Sequence, residues 1–541
     1  MKEIQIYDTT LRDGAQMDGI SLSVDDKLKI TQLLDELGVD FIEGGWPGSN
    51  PKDEEYFKKA SQLNLKNSKL AAFGSTRRAN SKVQNDIVLN ALLKAKTDYI
   101  TIVGKNWDMH VDIALNVSKE ENLKMISESI EYLKSHNKKV FFDAEHYFDG
   151  FKSNPEYSLE VIKIACEAGA DAIVLCDTNG GSLPHEIKKG VEKAKEIIGN
   201  TKNKCTLGIH VHNDGELAVA NSISAFEGGA RQIQGTINGI GERCGNANLI
   251  SIIANLELKY KEKVLPDSNL AKLTLISRQI SDILNLNPDD HQPYVGYCAF
   301  THKGGLHASA VKKDSKTYEH INPESVGNTN RVVISELSGV SNILTVAEQY
   351  QIDLGDKPNE TAKEVLKKIK ELEHKGYQFE GAGASFILLL LELLNQKPKF
   401  FELVDYRVLS SSKQLAEATV RIKVKGEVIH SASLGVGPGN ALDNALRKAL
   451  NHYYPALKEF QLVDFKVRIL DSHDGSSAKT RVHVETSDGN INWDTVGVSA
   501  NIIDATWQAI TDSIEYGLWL KSRQENPAES LTKTIQSIAK Y

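Results

Sequence analysis

Residues 206–214 read TLGIHVHND. The first six are short on turn formers and rich in β-branched types, a run of strand length that ends in a polar stretch. On a strand, residues i and i+2 face the same side, so His210 and His212 point together. The same order, an apolar run and then a polar turn, recurs through the first half of the chain. Strand-length runs stand at Ile4–Tyr7, Phe41–Gly44, Leu70–Phe73, Tyr99–Val103, Val140–Asp143, Ala172–Cys176, Thr206–Val211 and Arg231–Thr236. Each leads into a polar or glycine-containing segment and then into apolar residues at helical spacing. Eight such units before about residue 255 predict a (β/α)8 TIM barrel, a fold of roughly 250 residues. An open doubly wound sheet usually has fewer strands and often a G-x-G-x-x-G turn after the first. The first turn here is TTLRDGAQ, residues 9–16.

A TIM barrel builds its site at the C-terminal ends of its strands. The chemically able residues stand there: TTLRD (9–13), EGGWPGSNPKD (43–53), DAEHYFDG (143–150), CDTNGG (176–181), HVHND (210–214) and NGIGERCGN (238–246). An isolated H-x-H pair is a weak signal, but at the mouth of a barrel two imidazoles on one face can close on one metal ion. Asp13 offers a third ligand, because the first strand neighbours the eighth in a closed barrel. Asn246 adds a neutral oxygen from the eighth-strand loop. Arg12 can neutralise a substrate carboxylate or carbonyl oxygen; the bland alternative, a surface Arg–Asp pair, contributes little. Mixed His, carboxylate and amide ligation suits a divalent ion with open positions, Mg2+ or Mn2+, with Zn2+ as the alternative. Such an ion can hold a 2-oxo acid and act on its carbonyl as a Lewis acid.

The whole chain sets the bounds. Its 541 residues are too many for one core and predict two or three domains. A net charge of -8 argues against sequence-independent nucleic-acid binding. No window approaches the ~20 apolar residues of a membrane span, and the start lacks a signal-peptide pattern. A cytoplasmic enzyme is expected. The five cysteines, with no C-x-x-C pair, argue against a disulfide framework or a thiolate zinc site. They read as small fillers, Cys244 included.

Beyond the barrel, Lys272–Leu284 reads as helix and Tyr294–Arg331 as irregular. Helices follow at Val332–Tyr350, Asn359–Lys375 and Ala384–Leu394, the last a nearly all-apolar linker or dimer-interface helix. Strands at Ala418–Val424, Val428–Gly435, Val463–Leu470 and Thr480–Thr486 flank helices at Ala441–His452 and Ile502–Leu520. The expected division of this α/β chain is a catalytic barrel (1–270) and helical linker subdomains (271–397). An α+β regulatory domain (398–525) and a tail (526–541) complete it.

LRDGAQ (11–16), IHVHND (209–214) and GIGERCGNANL (239–249), in that order and spacing, resemble the metal-dependent barrel family of 2-isopropylmalate, homocitrate and citramalate synthases. The resemblance continues through AFTHKGGLHASAVKKDSKTYEHINPESVGN (299–328), GVGPGNALDNALRKAL (435–450) and VGVSANIIDATWQAITDSIEYGL (496–518). EGGWPGSNPKDEEYF (43–57) and FFDAEHYFDGFK (141–152) look like the branch that uses pyruvate as acceptor.

The resemblance implies that Asp13, His210, His212 and Asn246 hold the metal and that Arg12 polarises the 2-oxo group. It implies that Thr178 binds the acceptor carboxylate and that Glu145, His307 and Tyr318 handle protons around the acetyl group of acetyl-CoA. His307 and Tyr318 lie outside the barrel, in a segment that in the family reaches a partner subunit's site, so a homodimer is implied. The C-terminal domain would bind an end-product effector, isoleucine. A 2-oxoisovalerate acceptor, a lyase of the same barrel family and a non-catalytic metabolite sensor are the competing readings. The GGLHAS segment and regulatory domain speak against the lyase. The set Arg12, Asp13, Glu145, His210 and His212 speaks against the sensor.

Overall fold

The eight strands close into a barrel in chain order: β1 (Gln5–Asp8), β2 (Phe41–Glu43), β3 (Lys69–Ser75), β4 (Tyr99–Lys105), β5 (Lys139–Glu145), β6 (Ala172–Asp177), β7 (Thr206–Val211) and β8 (Gln232–Gly235). All neighbours run parallel, and β8 returns to β1 with Gln5 opposite Gln232 and Asp8 opposite Gly235. The computed structural model describes residues 3–302, 305–332, 334–335, 338–470 and 478–524; the tail expected at 526–541 lies outside them. The chain forms two units: residues through Ala299 with Ile321–Asn328, and Phe300–His320 with the residues from Thr329 onward.

An aromatic layer fills the barrel interior. Tyr7, Phe41 and Phe141 are buried there with Tyr99 packed against them, their rings mostly edge-on at 5.0 to 6.0 Å between centroids. Edge-to-face contact suits the aromatic quadrupole and adds about 0.5–1.5 kcal/mol per pair beyond burial. The Tyr7 hydroxyl donates to Glu43 Oε1 at 2.7 Å and lies 2.6 Å from Thr101 Oγ1. The floor of the barrel is therefore packed rather than open, and its chemistry is confined to the mouth.

Asp8 closes β1 in full burial. Its carboxylate accepts from the Thr10 amide at 2.9 Å and the Thr10 hydroxyl at 2.8 Å, and burial still pushes it up from 3.8 to about 7. A carboxyl raised in the folded state stabilises fully below its unfolded pKa of 3.8, and that contribution is lost as pH rises through about 7. Asp8→Asn should therefore lose stability at pH 5 but gain relative to the parent by pH 8. The swing, read by urea melts of the two proteins at both pH values, should be on the order of 2 kcal/mol. Parallel pH profiles for the two proteins would contradict this.

In the second unit, two three-stranded antiparallel sheets, Glu402–Leu409 with Ala416–Val424 and Glu427–Gly435, and Gln461–Ile469 with Thr480–Ser487 and Asn492–Ser499, carry the helices Pro438–Leu450 and Ile502–Gln524. Alternate residues of Ala416–Val424 are buried, as half-covered strands require. The apolar helix Gly383–Leu393 packs inside this unit against Ile502–Gln524 and Asn492–Ser499. One core joins Ile343, Leu390, Val420, Leu446 and Trp519, so hydrophobic packing is continuous across residue 397. No helix among the described residues is long and apolar enough to cross a membrane.

Four details differ from the sequence reading. The stretch expected to be irregular contains a helix, Gly305–Lys313, and a short parallel pair, Thr301–His302 with Arg331–Val332. Its glycine and histidine density hides a run of Leu, Ala and Lys, all good helix formers. The helix expected from Val332 starts at Val340, after Gly339 as N-cap. The strands Glu402–Leu409 and Asn492–Ser499 went unread: the first is largely exposed and lacks a buried alternation, and the second carries Asn, Asp and Gly, poor strand formers stabilised by their pairing. Cys244 is exposed and fills no core.

Candidate active site and metal centre

Register brings Asp13, His210 and His212 together. β1 and β7 flank β8, and the turn after β1 folds its Asp13 carboxylate against the end of β7. Asp13 Oδ2 lies 3.2 Å from His210 Nε2 and 3.9 Å from His212 Nε2. All three are buried, and their ligating atoms lie within 4.8 Å of one another. His210 Nδ1 lies 3.0 Å from the Gln234 carbonyl oxygen. An amide oxygen only accepts, so Nδ1 carries the proton and Nε2 presents its lone pair to the centre.

The electrostatics fit a cation. Burial alone would raise Asp13, but Arg12 and His210 outweigh it and hold the carboxyl well below the usual range. Burial alone would lower His210, yet Asp13 pulls it up; a proton there occupies the place of a cation. Burial, then His210, lowers His212 to about 4, so the imidazole is neutral near pH 7. At this cluster His212 Nδ1 and Asn246 Oδ1 are buried without a hydrogen-bond partner among the described residues. An orphaned buried acceptor costs roughly 1–3 kcal/mol unless something satisfies it. Asn246 bridges the backbone of His212, and its side-chain amide donates to Ile240 O at 3.2 Å, leaving the oxygen for a cation. The donor set thus fits a divalent ion.

Arg12 is fixed on three sides. Its Nε donates to Glu43 Oε2 at 2.5 Å, its Nη1 to Asp13 at 3.1 Å, and its guanidinium lies 3.9 Å from the Phe73 ring centre. Burial alone would lower Arg12, but Glu43 and Asp13 overcome it and the charge is permanent. Phe73 is held in turn by Trp46, edge-on at 5.4 Å. Trp46 sits in a loop tied down by Asp53, which accepts from the Trp46 amide at 2.9 Å and pairs with the buried Lys27. Gly45 is needed there: its φ is +143°, and a Cβ would stand 2.5 Å from the Asp53 carboxylate.

Arg12, Asp13, His210, His212, Trp46 and Phe73 line one cavity of about 580 Å³ at the barrel mouth, which also holds Glu145, Thr178, Asp143 and Lys105. Thr178 Oγ1 accepts the His146 amide at 2.9 Å, which leaves its hydroxyl proton to donate. Glu145 pairs with Lys105. Asp143 is buried, one of its oxygens lacks a partner among the described residues, and burial with Glu43 nearby raises it to about 7. Arg243 binds Asp214 through two nitrogens at 2.8 and 2.9 Å and the Thr178 carbonyl at 2.8 Å, lacing the loops after β6, β7 and β8. Gly245 is demanded by the same loop: with φ +88°, a Cβ would stand 2.0 Å from Gly239 O.

The structure therefore brings Arg12, Asp13, Glu145, Thr178, His210 and His212 to one cavity, with Asn246 beside His212. His307 and Tyr318 belong to the second unit, where their rings stack at 4.1 Å between centroids. Sequence reasoning passed over Glu43, Lys105, Arg243 and Gln234. Glu43 and Lys105 had a signal, each being the last residue of a barrel strand. Gln234 and Arg243 act through partners that only the closed barrel reveals.

Three known families match the chain: HMGL-like over residues 3–280, homocitrate synthase post-HMGL domain-like over 294–377, and the LeuA allosteric (dimerisation) domain over 380–518. The chain is 52% identical over 529 residues to an (R)-citramalate synthase of Aquifex aeolicus (strain VF5), covering 97% of this chain and 99% of that protein. It is 51% identical over 523 residues to an (R)-citramalate synthase of Geobacter sulfurreducens, covering 96% and 98%. A 2-isopropylmalate synthase of Methanocaldococcus jannaschii is more distant, 32% identical over 513 residues and 94% of each chain.

Proposed function

The chain belongs to the HMGL-like family and, within it, to the (R)-citramalate synthases, and on that premise we propose how its residues join acetyl-CoA to pyruvate with water to give (R)-citramalate and CoA. The observation that carries the reading is the meeting of Arg12 with the Asp13, His210 and His212 cluster in one cavity.

Asp13, His210, His212 and Asn246 would hold a divalent ion, Mg2+ or Mn2+. When bound, it supplies Lewis-acid polarisation of the acceptor carbonyl. A guanidinium has five N–H donors. Glu43 and Asp13 each take one, and the fork keeps donors for the 2-oxo oxygen, where negative charge develops. The Thr178 hydroxyl donates to the acceptor carboxylate. Glu145, with His307 and Tyr318, takes a proton from the acetyl methyl and steadies the thioester oxygen. Glu145 must leave or share Lys105 to do so. The deprotonated methyl carbon then bonds to the acceptor's carbonyl carbon, whose oxygen takes the electron pair beside Arg12 and gains a proton to become the hydroxyl, and water cleaves the thioester to release CoA.

The remaining parts of the reading are a cytoplasmic homodimer whose 299–328 segment serves the partner's barrel, and inhibition by isoleucine at the C-terminal domain. The LeuA-type match and the apolar residues left exposed on the outer strands, such as Val404, Leu409, Val463 and Ile469, support the dimer. The proposed division is barrel 1–270, linker 271–397 and regulatory domain 398–525. Product identity tests the reaction: acetyl-CoA and pyruvate should yield CoA and (R)-citramalate in equal amounts. CoA release without an adduct would reduce the chain to a thioesterase.

A further inference from the structure

Two of the five thiols meet. Cys166 stands in the last turn of the helix Pro155–Glu167, and Cys205 is the residue before β7. Their sulfurs are 3.2 Å apart. Their surroundings hold them there, because the connection at residues 200–205 is tied over the end of Cys166's helix. Thr201 Oγ1 lies 3.1 Å from Cys166 Sγ, which donates to Asn203 O at 3.3 Å. The Asn203 side chain donates back to the carbonyls of Cys166 at 3.2 Å and Glu167 at 2.9 Å. Cys166 is buried, whereas Cys205 keeps part of its surface in solvent.

We propose that Cys166 and Cys205 are a reversible disulfide site at the foot of the barrel, closed by exchange with a low-molecular-weight disulfide. Cys205, the accessible member, attacks one sulfur of the reagent and releases one small thiol. Cys166 then attacks Cys205 Sγ and expels the second. Two protein thiols and one small disulfide become one protein disulfide and two small thiols, with both protons carried by the leaving thiols. The sulfurs need to close by only about 1 Å to reach the ~2.05 Å bond length. In a reducing compartment the pair rests as the dithiol and closes when the small-thiol pool is oxidised. Burial raises the Cys205 thiol, so exchange is slow near neutrality and speeds up with pH.

The bond would span 39 residues of chain separation and tie the outer helix to the start of the strand that carries His210 and leads into His212. The site lies at the other end of that strand from the histidines, roughly 17 Å away at strand rise. Oxidation should therefore stiffen the barrel, raising its melting temperature by about 5 °C, without loss of turnover.

The test is peptide mapping of the full chain after incubation with oxidised glutathione, followed by alkylation and proteolysis without reductant. The expected product is a cross-linked peptide pair containing Cys166 and Cys205, two hydrogens lighter, dissolved by dithiothreitol and absent from Cys166→Ser and Cys205→Ser. Recovery of both residues as alkylated free thiols, while the exposed Cys244 has become a mixed disulfide, would overturn the proposal. So would a reaction that stops at glutathionylated Cys205, or a cross-link that forms only in urea. If the serine variants do not fold, the parent protein's map decides alone.

Discussion

His212→Ala should strip the protein of its divalent ion and reduce CoA release by at least about a thousandfold, the scale of several kcal/mol of lost charge stabilisation. The substitution removes a neutral donor, since burial and His210 already hold the imidazole at about 4. What remains is Asp13 against His210, a pair the protein can satisfy by itself with one proton. Bound Mn2+, counted by electron paramagnetic resonance against the parent protein, should fall in step with activity. Gln234→Leu should give a milder form of the same defect, about 10- to 100-fold in metal affinity, by freeing the His210 ring from its 3.0 Å partner. Turnover by His212→Ala in chelated buffer would remove the metal from the account.

The second large effect is expected at Arg12. Arg12→Lys keeps a charge but cannot reproduce a planar fork that donates at once to Glu43 and Asp13 while stacked on Phe73. CoA release should drop by about 10²- to 10³-fold, mostly in kcat, as when one donor to a developing oxyanion is removed. Glu43→Gln should fall in the same direction but less far, because it leaves the guanidinium in place and weakens only its anchor. Equal kcat for Arg12→Lys and the parent, with a raised KM alone, would confine Arg12 to binding.

These two sites also show what one sequence makes legible. His210 and His212 were readable because strand periodicity places i and i+2 on one face, and Asp13 because a closed barrel makes its first and last strands neighbours. Both rules are geometric and need no tertiary detail. Glu43 was within reach of the rule that strand ends carry chemistry, but a lone glutamate before two glycines has no partner visible in the chain. Its role depends on Arg12, 31 residues away, bending back to meet it. Arg243 and Gln234 depend on loop and strand contacts of the same kind. In the C-terminal sheets the strand Glu402–Leu409 is largely exposed and carries no buried alternation, and Asn492–Ser499 is half-buried but built on Asn, Asp and Gly, poor strand formers. Apolar packing also runs on across residue 397, where composition alone shows only a Lys-Pro-Lys break.

A metal-bearing barrel mouth is expected to condense acetyl-CoA with a small 2-oxo acid. The most direct measurement is the initial rate of CoA release with Mg2+ or Mn2+, comparing pyruvate, 2-oxobutyrate, 2-oxoisovalerate and 2-oxoglutarate, before and after EDTA. kcat/KM should be at least about tenfold higher for pyruvate than for 2-oxoisovalerate, from the ~1–3 kcal/mol that each misfitted methylene costs. All activity should be lost on chelation and recovered on adding the ion back. A preference for 2-oxoisovalerate, or release that survives EDTA unchanged, would contradict this reading.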